Sequence, residues 1–229
     1  MSGFTRNVVV FGDSICAGQG VSPHGTWVTR LSGLVEDEFG RRFVLVNSSV
    51  NGDTTRLALE RMPAAVQAFE PQLVLVQFGM NDCNCWETDR GLPRVSPVAF
   101  EHNLVEIVAR ARAFGATRIL LNTNHPTLRH TVLSHAGRSY ESGNVSYNTI
   151  VRAVASRIDG VTLVDVEQVF QAAAARGARL EDLVLDDLLH LSESGHALYL
   201  EIVAPVFLGA LRALDEVEPP ALSREHATR

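Results

Sequence analysis

The sequence predicts an α/β protein built on a parallel sheet that is covered on both faces, and three observations carry this. Short continuous runs of Val, Ile and Leu recur along the chain, as strands buried on both faces require. Each run is followed by a stretch with helical period, the order of βαβ units. No Pro/Ser-rich linker, repeat or composition shift divides the 229 residues, so one domain over residues 1–215 is expected, a length suited to a single large domain.

The elements follow in order. Asn7-Val8-Val9-Val10-Phe11-Gly12 reads as a first buried strand over Val8 to Phe11, followed by the small-residue segment Gly12 to Gly20. A helix is expected over Trp27 to Phe39, a second strand over Phe43 to Asn47, a helix over Thr55 to Phe69 and a third strand over Leu73 to Phe78. Pro97 to Phe114 gives the clearest helix: Phe100, Leu104, Ile107, Val108 and Ala111 fall at i, i+4, i+7, i+8 and i+11, one apolar stripe for the sheet. Arg118 to Asn122 is the fourth strand, Ser146 to Ile158 a helix and Val161 to Val164 the fifth strand, with helices over Val166 to Ala175 and Ser194 to Leu214. Glu216 to Arg229, with Pro219-Pro220 and scattered polar residues, is expected to be a loose tail. Two long connections, Asp82 to Ser96 and His125 to about Val145, leave the carboxyl ends of strands. Open parallel sheets bind ligands there, and connections of this length are usually either functional or disordered, so both are candidates for lining a substrate pocket.

Composition narrows the partners. The chain carries 20 Lys plus Arg against 26 Asp plus Glu, a formal charge of −6. It has no basic stripe from which phosphate neutralisation would supply nucleic-acid affinity. No apolar run reaches the roughly 20 residues of a membrane-spanning helix, and no basic start leads into the apolar segment of about 7–15 residues that marks a secretory leader. The expectation is a cytoplasmic protein with no membrane span. Three cysteines cannot complete a disulfide framework, and Cys83-x-Cys85, with Cys16 distant, lacks the paired spacing of a zinc site. Reduced thiols in or near the core, and no metal, are the reading.

The first strand delivers Gly12-Asp13-Ser14 to the sheet edge. A serine there is a candidate nucleophile, and equally a candidate helix N-cap or turn residue. A phosphate cradle of loop N–H groups is a further reading, although the spacing matches neither the dinucleotide fingerprint nor the P-loop. A serine hydroxyl reacts only if a base takes its proton and a third group orients the base. Asp187-Leu188-Leu189-His190, between the last strand and the last helix, offers both. Residues three apart can share one turn, so the carboxylate can accept the imidazole Nδ1–H and leave Nε2 for a hydroxyl. Taken alone, a surface-loop histidine at His190 and a helix cap at Asp187 are equally good readings. Acyl transfer also needs donors for an oxyanion. The second strand leads to Gly52, where the backbone can approach a ligand closely, and the third to Gly79-Met80-Asn81-Asp82, which offers the Asn81 amide. Each is by itself an ordinary turn. It is their conjunction that points to chemistry: all four segments fall at strand carboxyl ends or just before the last helix.

In order and context, Gly12-Asp13-Ser14, Gly52-Asp53-Thr54-Thr55, Gly79-x-Asn81-Asp82 and Asp187-x-x-His190 resemble the four blocks of the SGNH, or GDSL, hydrolases, over a span from Val8 to His196. The resemblance implies a flavodoxin-like three-layer α/β/α sandwich with a five-stranded parallel sheet in the order 2-1-3-4-5, serine-ester hydrolysis and no cofactor. It makes Ser14 the nucleophile and its N–H the first oxyanion donor, with Gly52 N–H and the Asn81 side chain as the second and third. His190 becomes the general base and Asp187 its orienting acid, chosen over Asp186 by the three-residue offset. Asp13 and Asp82 are read as structural. The family's first block continues with Leu and often Thr, where this chain has Ile15 and Cys16. Ile15 is nearly isosteric with Leu; Cys16 lines the pocket or packs beneath it, and packing is the reading adopted.

Around this centre, Trp86 is a candidate platform for a sugar or polar acyl group, with a loop anchor as its alternative. His125 faces the pocket or is structural, and Arg138 to Asn144 is a candidate lid. The expected substrate is an ester of a small acyl group, such as acetyl, on a sugar or other polar metabolite. A thioesterase or lysophospholipase would use the same machinery. A non-catalytic phosphate-, nucleotide- or glycan-binding module is the alternative of a different class.

Overall fold

The computed structural model describes Thr5–Glu216; the expected tail, Glu216 apart, lies outside the described residues. In chain order the elements are β1 (Arg6–Gly12), the single turn α1 (Ser14–Ala17), α2 (Trp27–Phe39), β2 (Phe43–Asn47), α3 (Thr55–Ala65), β3 (Leu73–Gln77) and a second single turn, α4 (Met80–Cys83). There follow α5 (Pro97–Ala113), β4 (Arg118–Asn122), the short strands β5 (Val132–Leu133) and β6 (Arg138–Ser139), α6 (Tyr140–Arg157), β7 (Val161–Val164), α7 (Val166–Ala175) and α8 (Glu193–Asp215).

The five aliphatic runs pair in parallel in the order β2-β1-β3-β4-β7. This is the expected 2-1-3-4-5 order, with the hairpin β5–β6 inserted before the fifth sheet strand. Val8, Val9, Val10 and Phe11 of β1 are fully buried, as are Leu73, Val74 and Leu75 of β3, which is why these strands show no polar alternation. Right-handed crossovers fix the layers. The step from β1 to β2 runs one way along the sheet, so α2 lies on one face. The steps from β2 through β3 and β4 to β7 run the other way, so α3, α5 and α6 lie on the opposite face, where they pack side by side. α8 returns to pack against α2 and α7, and Trp27 of α2 stacks on Tyr199 of α8 with ring centres 4.8 Å apart.

Helix α8 is longer and more apolar than strand-sized runs suggest: by length and composition it is sufficient to cross a membrane. Its Tyr199, Val203, Phe207 and Leu211 are buried at the three-to-four-residue spacing of a helix packed on a core. α6 begins at Tyr140, not at Ser146 as its apolar period suggests. Ser139 caps it by accepting from the Ser142 N–H at 3.1 Å, and its first turns are buried through polar contacts that carry no apolar signal. Glu141 accepts from the Thr127 N–H at 2.8 Å and from its hydroxyl at 2.7 Å, and Asn144 donates to the His125 carbonyl at 3.0 Å. Residues 138–144 are therefore a strand end and a buried helix start, not a lid.

Candidate active site

The chain turns sharply after β1. Asp13 caps α1 by accepting from the Ile15 N–H at 3.0 Å, and Ser14 begins the turn. Gly12 is sterically required, because a Cβ there would stand 2.6 Å from Cys16 Sγ and 2.9 Å from the Gln77 carbonyl. Gly18 ends the turn at φ +80°, against Thr26. The indole N–H of Trp27 donates to the Ile15 carbonyl at 3.0 Å and ties the turn to α2.

A second tight turn faces it from the connection between α7 and α8. Leu185 N–H donates to the His190 carbonyl at 2.7 Å and Leu188 N–H to the Leu185 carbonyl at 2.8 Å, with Leu188 at φ +63°. Asp187 Oδ1 accepts from the N–H groups of Leu189 and His190, each at 2.9 Å, while Oδ2 holds His190 Nδ1. His190 Nε2 then lies 3.0 Å from Ser14 Oγ. Burial alone would raise the Asp187 carboxyl, but hydrogen bonds from the His190 ring and the two N–H groups outweigh it and hold it below the ordinary carboxylate value. An ionised Asp187 fixes the Nδ1–H tautomer and leaves the Nε2 lone pair for the serine proton.

The other side of Ser14 is lined by donors. Gly52 has φ +78°, a conformation that glycine adopts without strain. Neither its N–H nor that of Ser14 donates to a backbone carbonyl among the described residues. Asn81 sits in α4 with both ends of its amide assigned: Nδ2 donates to Asp13 Oδ2 at 3.3 Å, and Oδ1 accepts from Arg94 Nη1 at 3.4 Å. The same Arg94 nitrogen donates to the Gly52 carbonyl at 3.0 Å. Asp13 is thus more than a loop cap, since it also aims the Asn81 amide. Asp82 anchors the start of α3, accepting from the Thr55 N–H at 2.9 Å and its hydroxyl at 2.5 Å. Burial, together with the charge of Asp82, pushes the Asp13 carboxyl up to about 7 against the pull of the Ile15 N–H. Burial pushes Asp82 up to about 6 against its Thr55 bonds.

The remaining candidates separate. Trp86 is half exposed, with the Arg94 guanidinium over its ring at 4.6 Å. His125 does not face a pocket: it is fully buried, and its Nε2–H donates to the Leu189 carbonyl at 2.8 Å, bracing the turn that carries His190. A histidine beside a proline carries no sequence signal for that contact, made 64 residues away. Cys16 packs beneath the site, its thiol donating to Gln77 Oε1 at 3.2 Å. All three cysteines are free and buried. His196 gains the partner the sequence did not name: its Nδ1 accepts from the Trp27 N–H at 3.3 Å. Arg94 and Arg129, whose Nε donates to the Asp187 carbonyl at 2.9 Å, were not legible as site residues because arginine in a polar loop looks like any solvated charge.

Comparison with known proteins gives the family and the fold. The GDSL-like lipase/acylhydrolase family model matches residues 10–198. The chain is 35% identical over 121 residues to esterase TesA of Pseudomonas aeruginosa, covering 53% of this chain and 56% of that protein. It is 28% identical over 152 residues to thioesterase 1/protease 1/lysophospholipase L1 of Escherichia coli strain K12, covering 66% and 62%. The matches therefore span little more than half the length of these relatives. The crystal structure of TesA superposes with a TM-score of 0.65 at 28% identity, over 87% of this chain and 97% of that one. An acetylxylan esterase from Geobacillus stearothermophilus shares the fold, with a TM-score of 0.68 at 20% identity over 89% and 93%. Residues 10–198 contain the Ser14 turn, the Gly52 and Asn81 segments and the Asp187–His190 turn, and the chain belongs to the GDSL-like lipase/acylhydrolase family.

Proposed function

We propose that this chain hydrolyses carboxylic esters through an acyl-enzyme on Ser14, removing a small acyl group such as acetyl from a sugar or another polar carrier. The observation that carries the reading is the hydrogen-bonded relay from Asp187 through His190 to Ser14, 3.0 Å at its last link. As Ser14 Oγ bonds to the ester carbonyl carbon, its proton passes to His190 Nε2, and Asp187 stabilises the imidazolium. The carbonyl oxygen takes up the electron pair facing Ser14 N–H, Gly52 N–H and Asn81 Nδ2, donors whose charge is worth most where charge develops. Collapse of the intermediate breaks the C–O bond to the alcohol, whose oxygen receives the Nε2 proton. Water then attacks the acyl-enzyme, gives its proton to the same nitrogen, and Ser14 recovers that proton as the acid departs. The esterase names among the relatives support this class of reaction. A phosphate-binding module would leave the relay without a task.

One observation favours a second reading. A cavity of about 280 Å³ lies against the Asp187 turn, walled by Leu128, Leu133, Leu188, Tyr140 and Arg129. An apolar wall of this kind suits a longer acyl chain, as in a thioesterase or lysophospholipase. Turnover of p-nitrophenyl acetate, butyrate and decanoate, by wild type beside Ser14→Ala, separates the two. Activity falling with chain length supports the small-acyl reading, and activity rising with it supports the other. Ser14→Ala should lower kcat on the order of 10³-fold or more; a variant as active as wild type overturns both.

A further inference from the structure

On the Gly52–Asn81 side of the site lies an open cleft of about 500 Å³ whose walls carry Arg56, Arg90 and Arg94, with Thr88, Asp89 and Ser96 as the other polar side chains. Three guanidinium groups against one carboxylate leave this cleft positive on a chain whose formal charge is −6. Like charges gathered in one place repel, so the cluster calls for an opposite charge. Within the protein it finds little. Among the described residues none of the three is ion-paired, whereas Arg42, Arg61, Arg110, Arg152, Arg157 and Arg212 each hold a carboxylate. The buried carboxyls of Asp53 and Asp82 feel the charge of Arg94, but Asp53 is bonded to Arg61 and Asp82 to Thr55.

Arg94 joins the cleft to the site. Its Nη1 donates to the Gly52 carbonyl at 3.0 Å and to Asn81 Oδ1 at 3.4 Å, and its face rests on Trp86. Those bonds occupy one nitrogen of a planar group with five N–H donors. The rest of the fork is shaped for the two oxygens of a carboxylate or phosphate, and stacking on Trp86 limits the freedom it would lose on binding one.

We propose that this cleft binds an anionic group, carboxylate or phosphate, carried by the substrate, so that the preferred ester is a negatively charged one. This rests on the ester-hydrolase reading and adds its substrate class. The anion can stand on the acyl side or the alcohol side of the ester, and paired substrates distinguish them. Mono-p-nitrophenyl succinate against p-nitrophenyl butyrate puts the charge on the acyl side; acetylated glycerol 3-phosphate against glycerol monoacetate puts it on the alcohol side.

In at least one pair the anionic member is expected to show a kcat/KM about tenfold higher at low salt. That ratio should shrink as added salt screens exposed charges. The double variant Arg56→Gln/Arg90→Gln should bring it back several-fold toward unity, chiefly through KM. Ser14-dependent turnover of neutral esters, with no anionic preference in either pair, overturns the inference and leaves the hydrolase reading intact. So does a preference that the double variant does not move. Calorimetric titration of succinate and inorganic phosphate into the Ser14→Ala protein reads the cleft without turnover. Binding on the order of millimolar, lost when Arg56→Gln and Arg90→Gln are added to Ser14→Ala, supports the cleft even if no test ester is cleaved; absence of binding together with absence of turnover overturns it.

Discussion

At the residue scale, function turns on which end of each polar group is already taken. A side-chain amide can point either way, and its neighbours decide. Asp13, which accepts, and Arg94, which donates, hold Asn81 so that one N–H of Nδ2 remains for a ligand. Asn81→Ala should lower kcat on p-nitrophenyl acetate by about 10²–10³, the usual consequence of losing one oxyanion donor. A change of less than about threefold would remove Asn81 from that role, since it falls below one donor's contribution. Ser14, Asp187 and His190 were legible as candidates through the four-block resemblance, and the fold brings their side chains together. The aim of Asn81 could not, because it depends on Asp13, 68 residues away.

At the element scale, two tight turns meet across the end of the sheet, and small residues let them close. The alternation of strands and helices was readable along the chain, including β2, β4, β7, α2 and α7 to the residue. The start of α6 was not, because Glu141 and Asn144 are buried by hydrogen bonds rather than by apolar period. Gly195, in the first turn of α8, is a position with no spare room: a Cβ there would stand 2.0 Å from the Leu183 carbonyl. That carbonyl also accepts from the Ser192 N–H at 3.0 Å and so holds the chain just after His190. Gly195→Ala should therefore cost about 1–3 kcal/mol in stability and lower kcat as well, because the backbone that must yield is continuous with the His190 turn. Thermal denaturation beside single-turnover kinetics checks this; a fall in Tm with kcat untouched would show that the two turns are not mechanically joined.

At the scale of the whole molecule, four buried titratable groups contribute opposing slopes to the acid response. Burial pushes His125 and His196 down from 6.5 to about 4, so between pH 4 and 6 the folded state binds fewer protons there than the unfolded chain. Their contribution is complete above pH 6.5 and is lost as pH falls toward 4. Burial pushes Asp13 and Asp82 up from 3.8 to about 7 and about 6, so in the same window the folded state binds more protons there, and their contribution is lost as pH rises. The two pairs oppose each other. His196→Asn, whose amide oxygen can still accept from the Trp27 N–H, should tilt the stability–pH slope downward relative to wild type. Asp82→Asn should tilt it upward. Each change is at most about 1.4 kcal/mol per pH unit, one proton's worth. Urea denaturation at pH 4, 5 and 6 measures the slopes, and identical slopes in all three proteins would contradict the buried assignments.

What the sequence determined by itself was whatever is local or periodic: five aliphatic runs, the helices between them, and four short blocks at strand ends, because burial on two faces and tight turns each demand particular residues at fixed spacing. What only the tertiary structure decided was everything that joins distant segments. It turned His125 into a brace for the His190 turn rather than a pocket residue, gave His196 its partner in Trp27, and brought Arg56, Arg90 and Arg94 to one cleft beside Asn81. A hydrogen bond or a shared cleft between residues tens of positions apart leaves no period in the chain; it exists only once the sheet has set which loops stand side by side.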